Sequence, residues 1–207
     1  MLLTGQAQTF PNPVPSPLSV GNGGNLIEIQ SSEQRIQYTG TARPIRRIAG
    51  RPFGASASLS IGTDGSHHWA FNATATTKLW LSFGPLPQWV DTTEPIVFKV
   101  LAAVASNLTT PNATTRLIAR MSYQRVDTIP ALGVAQTNDY NFDDGGGYTA
   151  STLVEVPIFT IAADSLQAGD LVTATVERAG GASEDTAGAS LIIYDAPWLD
   201  VTQKEVA

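Results

Sequence analysis

Cysteine is absent from this 207-residue chain, which excludes disulfides and thiolate metal sites and leaves stability to packing, hydrogen bonds and assembly. Histidine is nearly absent as well, with His67 and His68 the sole pair. Adjacent residues in a strand point to opposite faces, so these two do not chelate one metal together. A Ser-His-Asp arrangement would have to draw on this pair, and no Gly-x-Ser-x-Gly elbow accompanies it. Charge is scarce: charged residues make up 14% of the chain, against roughly 25% in ordinary soluble domains. That deficit implies a surface partly covered by partners. No stretch approaches the roughly 20 apolar residues of a membrane span. Met1 to Gly5 lacks the basic start and apolar run of a signal peptide, so the expectation is a protein made and used without membrane insertion. A 3.6-residue hydrophobic period long enough for a substantial helix is also missing.

The residues that are present divide into two regions. Residues 1 to 55 carry five arginines against two glutamates, a charge of +3, whereas the net charge of the whole is −6. The front opens with Phe10-Pro11-Asn12-Pro13-Val14-Pro15-Ser16-Pro17 and continues with Gly21-Asn22-Gly23-Gly24-Asn25. Alternate prolines fix φ, withhold amide donors and favour extended polyproline II. Leu26 to Gln30 and Arg35 to Thr39 are the short strands it could form, and Arg43-Pro44 and Arg51-Pro52 interrupt the chain beyond them. Ordering costs about 1–2 kcal/mol per residue, and a segment without a core must recover that cost by contact elsewhere. The reading is therefore an extended, partner-docked arm over residues 1–55 and a β-sandwich over 56–207.

The second region alternates with period 2. Leu79, Leu81 and Phe83 share one face of a strand, with Lys78 and Ser82 on the other and Trp80 as the exception. Leu117, Ala119, Met121 and Tyr123 alternate with Arg116, Arg120, Ser122 and Gln124, and Val172, Ala174 and Val176 with Thr173, Thr175 and Glu177. Pro95 to Ser106, Thr152 to Ala163 and Ala189 to Tyr194 are apolar on both faces, the pattern of central or covered strands. About eight strands result, near 66–71, 78–83, 96–105, 115–126, 132–136, 153–161, 171–178 and 191–201, and eight strands suit a jelly roll. The fold class is all-β.

Chemistry finds little purchase. In Asp139-Tyr140-Asn141-Phe142-Asp143-Asp144-Gly145-Gly146-Gly147, oxygen ligands alternate as a calcium loop requires, but Asp144 stands where that pattern has glycine and Ala150 where it has glutamate. An acidic hairpin loop is the plainer reading. Asp143, Asp144, Glu155, Glu184 and Asp185 are carboxylates by type for glycoside hydrolysis, with no spacing to single them out. No phosphate loop is present, and no cofactor or metal is expected. Trp69, Trp80, Trp89 and Trp198 could stack on sugars or serve as core anchors. Arg43, Arg46, Arg47 and Arg51 are better suited to acidic protein surfaces than to nucleic acid, given the acidic body.

The stretch Ser165-Leu166-Gln167-Ala168-Gly169-Asp170-Leu171-Val172, closing on Val176-Glu177-Arg178, followed by Ala187-Gly188-Ala189-Ser190-Leu191-Ile192-Ile193-Tyr194, resembles the end of jelly-roll structural proteins in tailed-bacteriophage virions. The strands from Trp69 onward are similar in style. Within that group the chain looks most like a capsid decoration, or cement, protein. The resemblance implies a homotrimer on the outer surface of the capsid, bound to the major capsid protein. The arm would then make the contacts, through Phe10, Pro11, Val14, Leu18, Leu26 and Ile27 as apolar groups and Arg43, Arg46, Arg47 and Arg51 as charged anchors. A tail-fibre or baseplate module binding a host receptor or glycan is the rival, and a glycan-active enzyme a distant third.

Overall fold

The computed structural model describes residues 18–22, 25–30, 35–39, 45–61, 67–108, 113–125, 131–132, 136–142 and 152–203, and every regular element among them is a β-strand. Two compact units result, one of residues 1–44 with 203–207 and the other of residues 45–202.

In the first unit, strands β1 (Leu18–Asn22), β2 (Asn25–Gln30) and β3 (Arg35–Thr39) make an antiparallel sheet in the order β1-β2-β3. Asn22 pairs with Asn25, and Gly23-Gly24 between them is the composition a two-residue hairpin loop demands. Between residues 18 and 39 a small sheet therefore stands where an extended arm was expected. The anticipated strands over 26–30 and 35–39 are there, and they gain a third partner.

The described residues of the second unit hold twelve strands: β4 (Ile45–Ala49), β5 (Arg51–Ala55), β6 (Ser58–Ile61), β7 (His67–Phe71), β8 (Thr76–Pro85), β9 (Ile96–Val104), β10 (Thr114–Gln124), β11 (Ala131–Leu132), β12 (Gln136–Asn141), β13 (Val154–Ile161), β14 (Leu171–Ala179) and β15 (Leu191–Thr202). They form two six-stranded antiparallel sheets, β11-β10-β14-β8-β5 with β12 also on β10, and β13-β9-β15-β7-β6 with β4 also on β15. The principal pairings are nested. β7 pairs with β15, β8 with β14, β9 with β13 and β10 with β12. A long antiparallel ribbon has in effect been rolled so that its successive steps fall in alternate sheets, which is the jelly roll expected from the strand count.

The sandwich begins at Ile45, eleven residues before the boundary read from composition, because β4 pairs with β15 and β5 with β8. Arg51-Pro52 had argued against strand there. Proline is tolerated because β5 is an edge strand, where a missing amide costs no ladder bond, and because its register shifts between Pro52 and Gly54.

Alternation places Leu79, Leu81, Phe83, Leu117, Ala119, Met121, Val172, Ala174 and Val176 inside, where each large aliphatic side chain contributes about 1.5–3 kcal/mol. Phe83 from one sheet meets Phe98 from the other edge to face, with ring centres 5.5 Å apart. The two-sided apolar character of β13 has a different origin from the one expected. β13 is an edge strand, and a register shift between Pro157 and Phe159 changes the phase so that Ile158 and Phe159 are both buried.

The residues that carry the phage resemblance are structural. Gly169 sits at φ 91°, a left-handed conformation that glycine adopts without strain, and it delivers Asp170 into the interior. There Asp170 accepts two 2.9 Å bonds from Arg125 and one of 2.7 Å from the Gln167 amide. These bonds, that from Arg125 first, hold its carboxyl below the usual range. Arg178 is fully buried and grips Asp185 through Nε and Nη2 at 2.9 and 2.7 Å, while Nη1 donates to the carbonyls of Ala189 and Phe71 at 2.6 and 3.3 Å. It therefore links β14 of one sheet to β7 of the other.

Candidate functional site

Strand β8 points Lys78, Trp80 and Ser82 away from the core. Of the four tryptophans, Trp69 and Trp89 pack against the core cluster, Trp198 is buried outside it, and Trp80 is half-buried and outside it. Its cross-strand partner is Gly54. A Cβ placed on Gly54 would lie 3.4 Å from Trp80 Cε3 and 3.9 Å from Cδ2, so the indole covers the glycine backbone. The register shift leaves Phe53 as the extra residue of a bulge, a device that re-aims a side chain. Phe53 is 65% exposed and lines the same groove as Trp80.

Paired residues of neighbouring strands lie on one face. Trp80 pairs with Thr175 and Thr175 with Arg120, while Ser82 pairs with Thr173 and Thr173 with Ser122. The outer face thus carries a groove of about 330 Å³ lined by Phe53, Trp80, Arg120, Ser122, Thr173 and Thr175. Ser122 Oγ and Thr173 Oγ1 are 2.6 Å apart. Next along β8, Lys78 Nζ lies 3.0 Å from Glu177 Oε2 and closes the face with a neutral pair. A flat aromatic surface beside hydroxyls and a guanidinium can hold a ring-shaped polar ligand, stacked on one side and hydrogen-bonded at its edge. In a second cleft, of about 270 Å³ between the sheets, Gln136 is engaged with both the amide and the carbonyl of Thr160.

The residues singled out in the sequence are scattered. Phe10, Pro11, Val14 and Arg43 lie outside the described residues, as do Asp143 and Asp144. Leu18 stands in β1 and Leu26 and Ile27 in β2, at positions facing Ile29, Gly21 and Val20 in the register. The arginine cluster is not one patch. Arg46 sits 5.6 Å from the Trp89 ring and Arg47 4.3 Å from the Trp198 ring. Arg47 also pairs with Glu155 and approaches Asp200 at 3.6 Å, while Lys99 lies 2.7 Å from Asp200 and 3.8 Å from Glu155. Arg51 pairs in register with Ser82, so it joins the Trp80 face.

Asp139 and Asn141 belong to β12 and pair with Arg116 and Thr114, so the first three residues of the segment weighed for calcium are strand. Among the described residues no group of three metal-ligating side chains occurs. Of the carboxylates weighed for hydrolysis, Asp185 is locked to Arg178 and Glu184 is held below its usual range, first by Ser183. A lowered Glu184 is the opposite of the raised pKa a glycosidase acid requires. Phe53 escaped the sequence reading because Arg51-Pro52 beside it reads as a break in the chain.

No family model matches the chain, and no curated protein matches it. Among solved structures, it is similar to a family 11 carbohydrate-binding module from Clostridium thermocellum in complex with a β-1,3-1,4-mixed-linked tetrasaccharide. The two are 10% identical, with 80% of this chain and 92% of that chain covered and a TM-score of 0.37. It is also similar to a chain of infectious bursal disease virus, Gx strain, at 9% identity, 90% and 49% coverage and a TM-score of 0.22. A VP2 subviral particle of the same virus matches at 9% identity, 90% and 50% coverage and a TM-score of 0.20. The chain spans about half the length of the viral chains. None of these likenesses reaches a TM-score of 0.5, so what those proteins bind or assemble is theirs alone.

Proposed function

We propose that the chain is a non-catalytic binding module, of the tail-fibre or baseplate kind, that holds a host glycan or receptor sugar on the outer face of its β5-β8-β14-β10 sheet. One observation carries this: Trp80, the one tryptophan of the four that is neither buried nor packed on the core, is half-buried and laid across Gly54 beside Phe53 and three hydroxyls. The C–H face of a sugar ring packs on such a plane while its hydroxyls bond sideways. The jelly-roll resemblance in residues 165–194 supports a virion as the setting. Titration calorimetry of the intact chain against bacterial surface polysaccharides tests the reading. Binding should weaken by at least about tenfold in Trp80→Ala, as for an aromatic anchor at the centre of an interface. Equal binding by both proteins would overturn it.

A second reading, capsid decoration, is favoured by the separate β1-β2-β3 unit that comes after the proline-rich stretch. In it a homotrimer on the capsid exterior grips the major capsid protein through Phe10, Pro11, Val14, Leu18, Leu26 and Ile27, with Arg43 as a charged anchor; Arg46 and Arg47 are engaged on the sandwich itself. Area buried against the shell would contribute about 25 cal/mol per Å². The comparison must use a chain starting at Ile45, which keeps β4 and β5. Equal binding to undecorated shells, and equal shell stabilisation, by this chain and the full-length protein would eliminate the arm as the grip.

A further inference from the structure

Nine basic side chains lie among the described residues of the sandwich. Six of them, Arg47, Lys78, Lys99, Arg116, Arg125 and Arg178, have a carboxylate of the same chain within 4 Å. Arg46 is taken up by Trp89. Arg51 and Arg120 remain, and no carboxylate pairs with either among the described residues. Both belong to one face. Arg51 heads the row Arg51-Ser82-Thr173-Ser122 and Arg120 ends the adjacent row Gly54-Trp80-Thr175-Arg120. They therefore flank the Trp80 groove across three strand spacings, roughly 14 Å of sheet.

In a chain of net charge −6 with few charges of any kind, two unneutralised guanidinium groups on either side of an aromatic groove are a departure from the rest of the surface. A guanidinium accepts a carboxylate through two parallel N–H bonds. Neutral sugars have no need of that fork. We infer that the ligand of this face is an acidic glycan of the polyuronate type, with one ring on Trp80 and carboxylates at Arg120 and Arg51. This rests on the sugar-binding reading and names the class of sugar. Single-stranded nucleic acid also stacks on aromatics and pairs with arginine, but two cations on an acidic protein are few for a phosphate chain, and the Ser122, Thr173 and Thr175 hydroxyls suit a polyol.

The experiment compares polygalacturonate with the same polymer fully methyl-esterified, using the intact protein, Arg120→Ala, the double variant Arg51→Ala/Arg120→Ala, and Trp80→Ala. Both arginines are exposed, and unchanged circular dichroism verifies the fold of each variant. The acid form should bind at least about tenfold tighter than the ester, as expected for close charge pairs. That preference should shrink in Arg120→Ala and vanish in the double variant, and Trp80→Ala should weaken both polymers alike. Equal binding of acid and ester would overturn the acidic class and leave the sugar reading intact. Absence of binding to both polymers and to every neutral polysaccharide would overturn the two together. Tighter binding of oligo-dT than of polygalacturonate would replace the sugar with nucleic acid.

Discussion

The two outer faces of the sandwich carry the same residue types to opposite ends. On the face built from β4, β15, β9 and β13, Arg47 lies over Trp198, Trp198 Nε1 donates to Asp200 at 2.8 Å, and Lys99 joins Asp200 to Glu155. Two cations, two carboxylates and one indole are closed on each other, and Trp198 is 6% exposed. On the face built from β5, β8, β14 and β10, Trp80 and Phe53 line a groove, and Arg51 and Arg120 pair with no carboxylate among the described residues. A tryptophan with arginines nearby does not define a site. What separates the two faces is whether the chain satisfies its own groups.

The largest effect comes from removing the support the faces share. Arg178→Ala leaves Asp185 charged and buried and cuts the link from β14 to Phe71, so a loss of about 3–5 kcal/mol is expected, read from the midpoint of urea unfolding. Arg178→Met should cost about as much if burial of an unpaired charge is the cause, and adding Asp185→Leu to it should recover most of the loss. Next come the two tryptophans, whose effects should divide. Trp198→Ala empties a packed position and is expected to cost about 3–5 kcal/mol with glycan affinity unchanged. Trp80→Ala is expected to cost less than about 2 kcal/mol while affinity falls. A stability loss from Trp80→Ala as large as that from Trp198→Ala would make Trp80 a core residue and erase the contrast.

A smaller effect separates the sheets by pH. Asp170 has its folded pKa depressed, chiefly by Arg125, so the unfolded chain binds its proton more readily. Stability from this pair is complete above the unfolded carboxylate value of about 3.9 and is lost as pH falls through the lower folded value. Asp170→Asn should remove that acid-side decline from the plot of unfolding midpoint against pH. A decline of the same size in the variant would assign the acid sensitivity elsewhere.

Much of this arrangement could be read before any coordinates. Period-2 alternation put Leu79, Leu117 and Val172 inside and set Trp80 apart as the residue that broke the pattern, because a half-buried sheet leaves its mark residue by residue. Strands β4, β5 and β6 were illegible because Arg43-Pro44 and Arg51-Pro52 read as breaks, and nothing local announces an edge strand with a bulge. The pairing of Arg47 with Asp200, or of Arg178 with Asp185, depends on which strands meet. Nested pairings such as β7 with β15 join residues more than a hundred positions apart, so arginines that look alike in sequence, Arg47 and Arg51 among them, end on different faces with different partners.

The mildest prediction asks whether charge pairing alone makes the difference. Glu155→Gln with Asp200→Asn keeps the shapes of both side chains and frees Arg47 and Lys99 on the second face. Since Arg47 and Glu155 are about half exposed, their pairing is worth about 0–1 kcal/mol, and little change in unfolding midpoint is expected. Those freed cations should then bring a weak, salt-sensitive affinity for polygalacturonate that persists when Trp80→Ala is added. Should no such affinity appear, neutralisation is not what silences the second face. The cause would then lie in the burial of Trp198, which no change of surface charge can reverse.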